Sequence, residues 1–212
     1  MPRSPPTPTS HPHQGVLDAY DGAPPRPALS AEDLATLARG EPVLQQQQTA
    51  SGSDAAGRGV AVLDIHAEPS VIWSKILDYP SYPGMVDHVK STAIYERKGD
   101  HLYVEFVIGA PLVNIRYYID HTVHTEQGWL TWRLNYRRTS DFDDTVGYWR
   151  VDALPERPGW SRVSYSADVK ARGWVPAPIE RAFATIGLKT SVAWLAREAE
   201  AAARASGNPI AP

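Results

Sequence analysis

The chain has 212 residues, a formal net charge of −3 and a hydrophobic content of 42%. Because domains cluster near about 100–150 residues, this length accommodates one ordinary domain with an extension. A charge so close to zero gives no general attraction to nucleic acid or to anionic membranes. The sequence contains no cysteine, which excludes disulfides, thiolate metal ligands and a cysteine nucleophile.

The first residues carry no apolar signal-peptide core, and nowhere do eighteen apolar residues follow one another. We therefore expect a cytoplasmic protein without stable membrane insertion. Transient contact with a membrane is compatible with this composition, and an exported form would require a start site upstream of Met1.

Residues 1–27 are rich in Pro, Ser and Thr and poor in large apolar side chains, so they are predicted to form a disordered tail. Residues 28–58 are predicted to hold a short helix and a linker. The helix begins at Ser30, whose hydroxyl can accept a hydrogen bond from the first turn, and ends at Gly40. An extended segment over 41–48 is predicted to lie on the main domain.

The main domain is predicted over 59–206, with a tail at 207–212. It opens with a strand at 60–65, where the apolar residues have a period of two. A short helix follows, and Pro69 suits its first turn because no backbone N–H is needed there. Two prolines end this helix, and a second short helical turn is predicted after them.

Six further strands are separated by turns rich in Gly, Pro and Asp. They are predicted at 88–97, 101–109, 112–124, 129–138, 146–154 and 160–171. From Pro178 to about Ala205 the apolar pattern returns to a helical period, which predicts one long amphipathic helix. A single helix beside seven strands buries its apolar face by lying across a curved antiparallel sheet, so the fold class is α+β.

The stretch 65–83 combines a strand, a small residue, a proline-started helix with Trp73, and an aspartate before Tyr79-Pro80. This order resembles the opening of the SRPBCC superfamily, of the START-like, polyketide cyclase/dehydrase and coenzyme Q-binding type. The resemblance extends over about 59–203. It implies a helix-grip fold, in which a curved seven-stranded sheet surrounds the C-terminal helix, with two short helices after strand 1 and a cavity for a hydrophobic ligand.

Alternate turns of an antiparallel meander fall at the same end of the sheet. The turns at 109–112, 139–145 and 172–177 therefore share one end with the start of the last helix. Because these turns carry Phe142 and Trp174, we predict that the mouth of the cavity lies there, with a hydrophobic lip.

Strand 112–124 has one face with Arg116, Tyr118 and Asp120 and an opposite face that is largely apolar. In one interpretation the apolar face is core and Arg116 is a solvated cross-strand partner. In the other, Arg116 and Tyr118 lie in the cavity and hold a ligand carbonyl or carboxylate.

The catalytic candidates are Arg116, Tyr118 and Asp120. For the aromatic candidates, core packing is the alternative to a ligand contact. The predicted ligand-binding residues are Trp73, Tyr79, Tyr82, Arg116, Tyr118, Trp132, Phe142, Trp174 and Phe183.

We expect neither a metal site nor a cofactor. His121 and His124 are three residues apart on a strand and so project to opposite faces, while His11 and His13 lie in the predicted disordered tail. The sequence has no phosphate-binding glycine loop, nucleophile elbow or paired-carboxylate motif.

These features favour a carrier or sensor that binds a hydrophobic small molecule such as a lipid, quinone or polyketide, as a monomer or weak dimer without nucleic-acid partners. The alternative is a polyketide aromatase/cyclase or dehydratase that uses the same cavity. In that case Arg116 would stabilise an enolate and Tyr118 or Asp120 would move a proton. A third interpretation is an interaction module that recruits a partner through its N-terminal segment.

Overall fold

The computed structural model describes residues 9–47, 58–110, 113–172 and 177–206, so the tail predicted at 207–212 lies outside it. The helices are α1 (Ala31–Ala38), α2 (Pro69–Ile76), α3 (Tyr82–Met85) and α4 (Ala177–Ala205). The strands are β1 (Val43–Gln47), β2 (Arg58–Ile65), β3 (Val89–Lys98), β4 (His101–Ala110), β5 (Val113–His124), β6 (Trp129–Leu134), β7 (Phe142–Ala153) and β8 (Ser161–Ala171). Two 3-10 turns lie at Tyr79–Ser81 and Thr125–Gln127.

The eight strands found in the described residues form one antiparallel sheet in the order β1-β2-β8-β7-β6-β5-β4-β3. From β3 to β8 each strand pairs with the next along the chain, and β2 then pairs with β8. Helices α2 and α4 lie against one face, which we call the inner face. This is the predicted helix-grip architecture, with eight strands instead of the expected seven.

The additional strand is β1, which lies in the segment predicted to be extended. Val43 pairs with Val62 and Gln47 with Arg58, so β1 runs antiparallel along the edge of β2. A free strand edge presents unpaired N–H and C=O groups, and β1 supplies the partners of those on β2. The N-terminal extension is thereby joined to the sheet of the main domain.

The inner face carries the main hydrophobic core. Pro69 occupies the first turn of α2, as predicted, and the helix buries Ile72 and Ile76. On α4, Val192 and Leu195 are fully buried, at a spacing that places them on one helix face. None of the described helices has the length and apolar character needed to cross a membrane.

A second hydrophobic cluster lies on the outer face of the sheet, beneath the N-terminal residues. Its buried members are Leu37, Val43, Val60, Val62 and Tyr148. The ring of Tyr20 meets that of Tyr148 edge-on at 5.1 Å. Tyr20 belongs to residues 9–29, which we name the N-terminal strap because they cross this face.

The strap differs from the disordered tail predicted for residues 1–27. The Asp144 carboxylate accepts hydrogen bonds from the backbone N–H groups of Val16 and Leu17, at 2.7 and 2.9 Å. Composition alone could not indicate these bonds, because the partners are separated by 128 and 127 residues. Residues 1–8 of the predicted tail lie outside the described residues.

The strap also supplies acceptors for two buried arginines. Arg58 donates to the carbonyl oxygen of Asp18, and Arg150 donates to that of Pro24 at 3.1 Å. The Arg58 guanidinium also lies over the ring of Tyr20, 4.7 Å from its centroid. These contacts join the strap to strands of the main domain, where Arg150 also pairs with the Asp152 carboxylate at 2.9 Å.

Candidate ligand site on the inner face of the sheet

Strand β5 shows which of its two faces points toward the helices. Ile119 is buried in the main core, and Tyr117 packs against that core. On the opposite side of the strand Arg116 is exposed, and its guanidinium pairs with the carboxylate of Glu105. The apolar face is therefore the inner one, as in the first of the two interpretations.

The three catalytic candidates consequently lie together on the outer face. The Tyr118 ring meets that of Tyr95 edge-on at 5.8 Å. The Asp120 carboxylate accepts a hydrogen bond from Nδ1 of His101 at 2.7 Å. The interpretation that places Arg116 and Tyr118 in the cavity does not agree with this structure, because the apolar residues of the strand take the inner positions.

Aromatic side chains gather on the inner face, from Tyr79 near α3 to Phe142 at the start of β7. Phe106 and Tyr117 stack with 5.2 Å between ring centroids, and Phe142 lies 4.9 Å from Tyr117. Trp132 stacks on Tyr165 at 5.7 Å. We define the inner aromatic site by Tyr79, Phe106, Tyr117, His121, Trp132, Phe142 and Tyr165.

Part of this lining stays accessible. Tyr117, Trp132, Phe142 and Tyr165 are only half-buried, although they lie on the face that carries the core. Val169, at an inner position of β8, has 43% of its surface exposed. Within the part of the chain that the structure describes, apolar side chains on the inner face therefore stay partly exposed.

His121 is the central polar group of the inner aromatic site. Its Nδ1 lies 3.1 Å from the carbonyl oxygen of Leu102, so Nδ1 carries the hydrogen and Nε2 is left as an acceptor. Burial lowers the pKa of His121 to about 4, against the smaller opposing effect of that hydrogen bond. Among the described residues, the hydrogen bond that the His121 ring makes is the one from Nδ1.

The tyrosines of the site are uncharged as well. Burial raises the pKa of the Tyr79 and Tyr117 hydroxyls well above the usual value. Burial also raises the pKa of Tyr165, which a hydrogen bond with Ser191 partly offsets. The inner aromatic site thus combines a large apolar surface with a few neutral polar atoms.

The predicted ligand-binding residues divide into four groups. Three lie in the inner aromatic site: Tyr79, Trp132 and Phe142. Two are buried in the core: Trp73 and Tyr82, the latter with its hydroxyl donating to the carbonyl of Ile76 at 2.6 Å. Two lie on the outer face: Arg116 and Tyr118. Trp174 and the side chain of Phe183 are outside the described residues.

Sequence reasoning did not select Phe106, Tyr117, His121 and Tyr165. Tyr117 belongs to the face that the first interpretation assigns to the core, and the spacing of His121 from His124 bears only on metal binding. Their signal was the alternation of β4 and β5, since Phe106 and Tyr117 are cross-strand partners on one face. The alternation alone does not say which face of the sheet points toward the helices.

His11, His13 and Asp143 bring potential metal-ligand atoms within 4.8 Å of one another. The N–H of Gly15 donates to Nδ1 of His13, and that of Ser140 donates to Nδ1 of His11. Each Nε2 therefore carries the hydrogen and has no lone pair for a metal, whereas metal-bound histidines usually donate from the other nitrogen. Both nitrogens of His11 are thus engaged in hydrogen bonds, while Nε2 of His13 lies 3.0 Å from the Asp143 carboxylate.

Residues 65–193 match the model of the family described as polyketide cyclase / dehydrase and lipid transport. No curated protein sequence matches the chain. Solved structures share the fold. The Zhui aromatase/cyclase from Streptomyces sp. R1128 has a TM-score of 0.61 at 13% identity, covering 71% of this chain and 97% of its own.

A START superfamily protein from Mycobacterium smegmatis has a TM-score of 0.58 at 16% identity, covering 68% of this chain and 97% of its own. A STAR-related lipid transfer protein from Xanthomonas axonopodis has a TM-score of 0.56 at 13% identity, covering 74% and 93%. Identities this low establish the common fold alone. The match of the family model over most of the chain shows more, and the protein belongs to the polyketide cyclase/dehydrase and lipid transport family.

Proposed function

We propose that the protein binds an uncharged, largely apolar small molecule in the inner aromatic site and acts as its carrier or sensor. The observation that carries this proposal is the partial exposure of four aromatic side chains on the inner face, Tyr117, Trp132, Phe142 and Tyr165. Burying such surface is favourable by roughly 25 cal/mol per Å². A lipid, a quinone or a polyketide-like molecule has enough apolar surface to cover these side chains.

The charge of the lining supports a neutral ligand. The inward-facing positions of β4 to β8 that the structure describes carry no Asp, Glu, Lys or Arg. On these strands a charged ligand group would lose its hydration without meeting a counter-charge, and Arg97, at an inner position of the neighbouring strand β3, is exposed. Nε2 of His121 instead suits a hydroxyl or another hydrogen-bond donor of the ligand.

The ionisation of the site supports binding over acid–base turnover. A general acid or base works best with a pKa near the operating pH. The pKa of His121 lies at about 4, and those of Tyr79 and Tyr117 are raised from values that are already basic. The residues assigned to the cyclase alternative are on the outer face, so no specific observation favours that activity.

The proposal can be tested with Nile red, a neutral apolar dye whose fluorescence rises in apolar surroundings. Tyr117 and its neighbour Tyr118 form a matched pair, because both are half-buried tyrosines on opposite faces of β5. Tyr117→Ala should weaken dye binding about tenfold, the loss expected when one aromatic contact is removed. Tyr118→Ala should leave it unchanged.

Equal dissociation constants for the two variants would contradict a site on the inner face. Native mass spectrometry of the protein purified from its own host, followed by organic extraction, then identifies the natural ligand. A stoichiometric apolar molecule is the expected result, and a charged metabolite would contradict the neutral lining.

A further inference from the structure

The N-terminal strap is hydrogen-bonded to the segment that contains Phe142, a residue of the inner aromatic site. We name residues 135–144 the lip segment. The backbone N–H of Thr139 donates to the carbonyl of Thr9 at 2.7 Å, and the N–H of His11 donates to the carbonyl of Tyr136 at 2.9 Å. The strap therefore extends along the lip segment by backbone hydrogen bonds before it crosses β7.

His11 also contacts the lip segment with its side chain. Its Nε2 donates to the carbonyl oxygen of Asp143 at 2.7 Å, and its Nδ1 accepts the N–H of Ser140 at 3.4 Å. One imidazole thus bridges the residues on either side of 141 and 142. His11 is only 5% exposed, so water does not readily replace these bonds.

The other edge of the lip segment is held by β5. The N–H of Asp141 donates to the carbonyl of Arg116 at 2.8 Å, and the N–H of Arg116 donates to the Asp141 carboxylate at 2.7 Å. The N–H of Tyr118 donates to the hydroxyl of Ser140 at 3.1 Å. Phe142 lies between these two sets of bonds and directs its ring toward Tyr117 on the inner face.

We propose that His11 is a positioning residue of the ligand site, which holds the Phe142 ring at the mouth and so slows ligand exit. This inference rests on the proposed function. It gives the strap a role in binding, although the strap lies on the opposite face of the sheet from the ligand. Loss of the His11 bridge frees the backbone of 140–143 on one side and lets Phe142 swing from the mouth.

The test measures the dissociation rate of Nile red by stopped flow for the full chain and its variants. His11→Ala should raise the rate about three- to tenfold, the factor that corresponds to one lost hydrogen bond. His11→Gln, whose amide can still donate to the Asp143 carbonyl, should recover most of the wild-type rate. Leu37→Ala, which removes a buried side chain of the outer cluster, should lower stability and leave the rate unchanged.

A double-mutant cycle with Phe142→Ala shows whether His11 acts through that ring. Phe142→Ala alone should raise the rate, and adding His11→Ala should then have no further effect. A full effect of His11→Ala in the Phe142→Ala background would overturn the inference, and so would an unchanged rate in Phe142→Ala. In either case the Nile red titration of Tyr117→Ala distinguishes failure of this inference from failure of the proposed function. Weakened binding in Tyr117→Ala would still support a ligand site on the inner face.

Discussion

Trp132 and Gly147 are direct partners in the pairing of β6 with β7, and the indole of Trp132 occupies the volume that a side chain at position 147 would need. A Cβ built at this glycine would overlap both the indole and the carbonyl oxygen of Ser166. Because Gly147 has no side chain, the indole of Trp132 lies across β7 and contacts Tyr165 on β8. The arrangement of the inner aromatic site thus depends on a residue without a side chain.

Gly147→Ala should therefore destabilise the fold by about 1–3 kcal/mol, the range found for overpacked interiors, and should also weaken Nile red binding. Gly84 is a suitable control, because a Cβ there meets nothing within 4 Å. Gly84→Ala should change neither property appreciably. Urea unfolding and dye titration of both variants check this expectation, and equal stability of the two would contradict the close approach of Trp132.

The depressed pKa of His121 makes stability depend on pH. The unfolded chain binds a proton on this residue below about pH 6.5, whereas the folded chain resists it down to about pH 4. Stability should consequently fall as the pH is lowered between these values, by about 3 kcal/mol at most. Urea unfolding from pH 7 to about pH 4.5 measures the loss.

His121→Asn, whose amide can keep the bond to the Leu102 carbonyl, should flatten this part of the profile. His124→Asn removes a histidine from the opposite face of the same strand and should leave the slope in place. An unaltered slope in His121→Asn would mean that another group causes the acid loss.

Helix α1 offers a test of whether the N-terminal extension belongs to the folded domain. Leu37 is 1% exposed against the outer cluster, whereas Leu34 on the same helix is 45% exposed. Leu37→Ala should lower the free energy of unfolding by about 2–4 kcal/mol. Leu34→Ala should change it by less than about 0.5 kcal/mol. Small and equal effects would show that α1 does not stabilise the domain.

Arg116→Ala distinguishes the outer-face position from a role in the cavity. Because Arg116 and Glu105 form an exposed pair, the variant should lose less than about 1 kcal/mol of stability. Nile red binding should stay at the wild-type value. A tenfold weaker affinity, measured by fluorescence titration, would instead place the guanidinium beside the ligand.

The helix-grip sheet was predictable because apolar periodicity reports local backbone geometry directly. The predicted helix from Pro178 to about Ala205 agrees with α4 at Ala177–Ala205, and Pro69 lies where a helix-starting proline should. Strand β1 was harder to predict as a strand of the sheet. Its glutamine-rich sequence does not indicate that it pairs with the edge of β2. The strap was missed for a related reason, since its acceptors are remote in sequence.

The inner aromatic site was only partly predictable. Alternation separates Tyr117 from Arg116, but it does not say which of the two faces the helix. That direction is set by the packing of Ile119 with the rest of the core. His121 illustrates the same limit, since a histidine on a strand becomes a neutral acceptor only through burial and a bond to the Leu102 carbonyl.

The route of the strap has a consequence for the order of folding. The contacts from His11 to Asp143 and from Arg26 to Asp152 span 132 and 126 residues. A chain made from its N-terminus releases the strap long before β7 exists, and contacts of such long range form slowly. The strap, although synthesised first within the described chain, is therefore among the last segments to fold. Its proline-rich, weakly apolar composition is compatible with exposure to solvent until then.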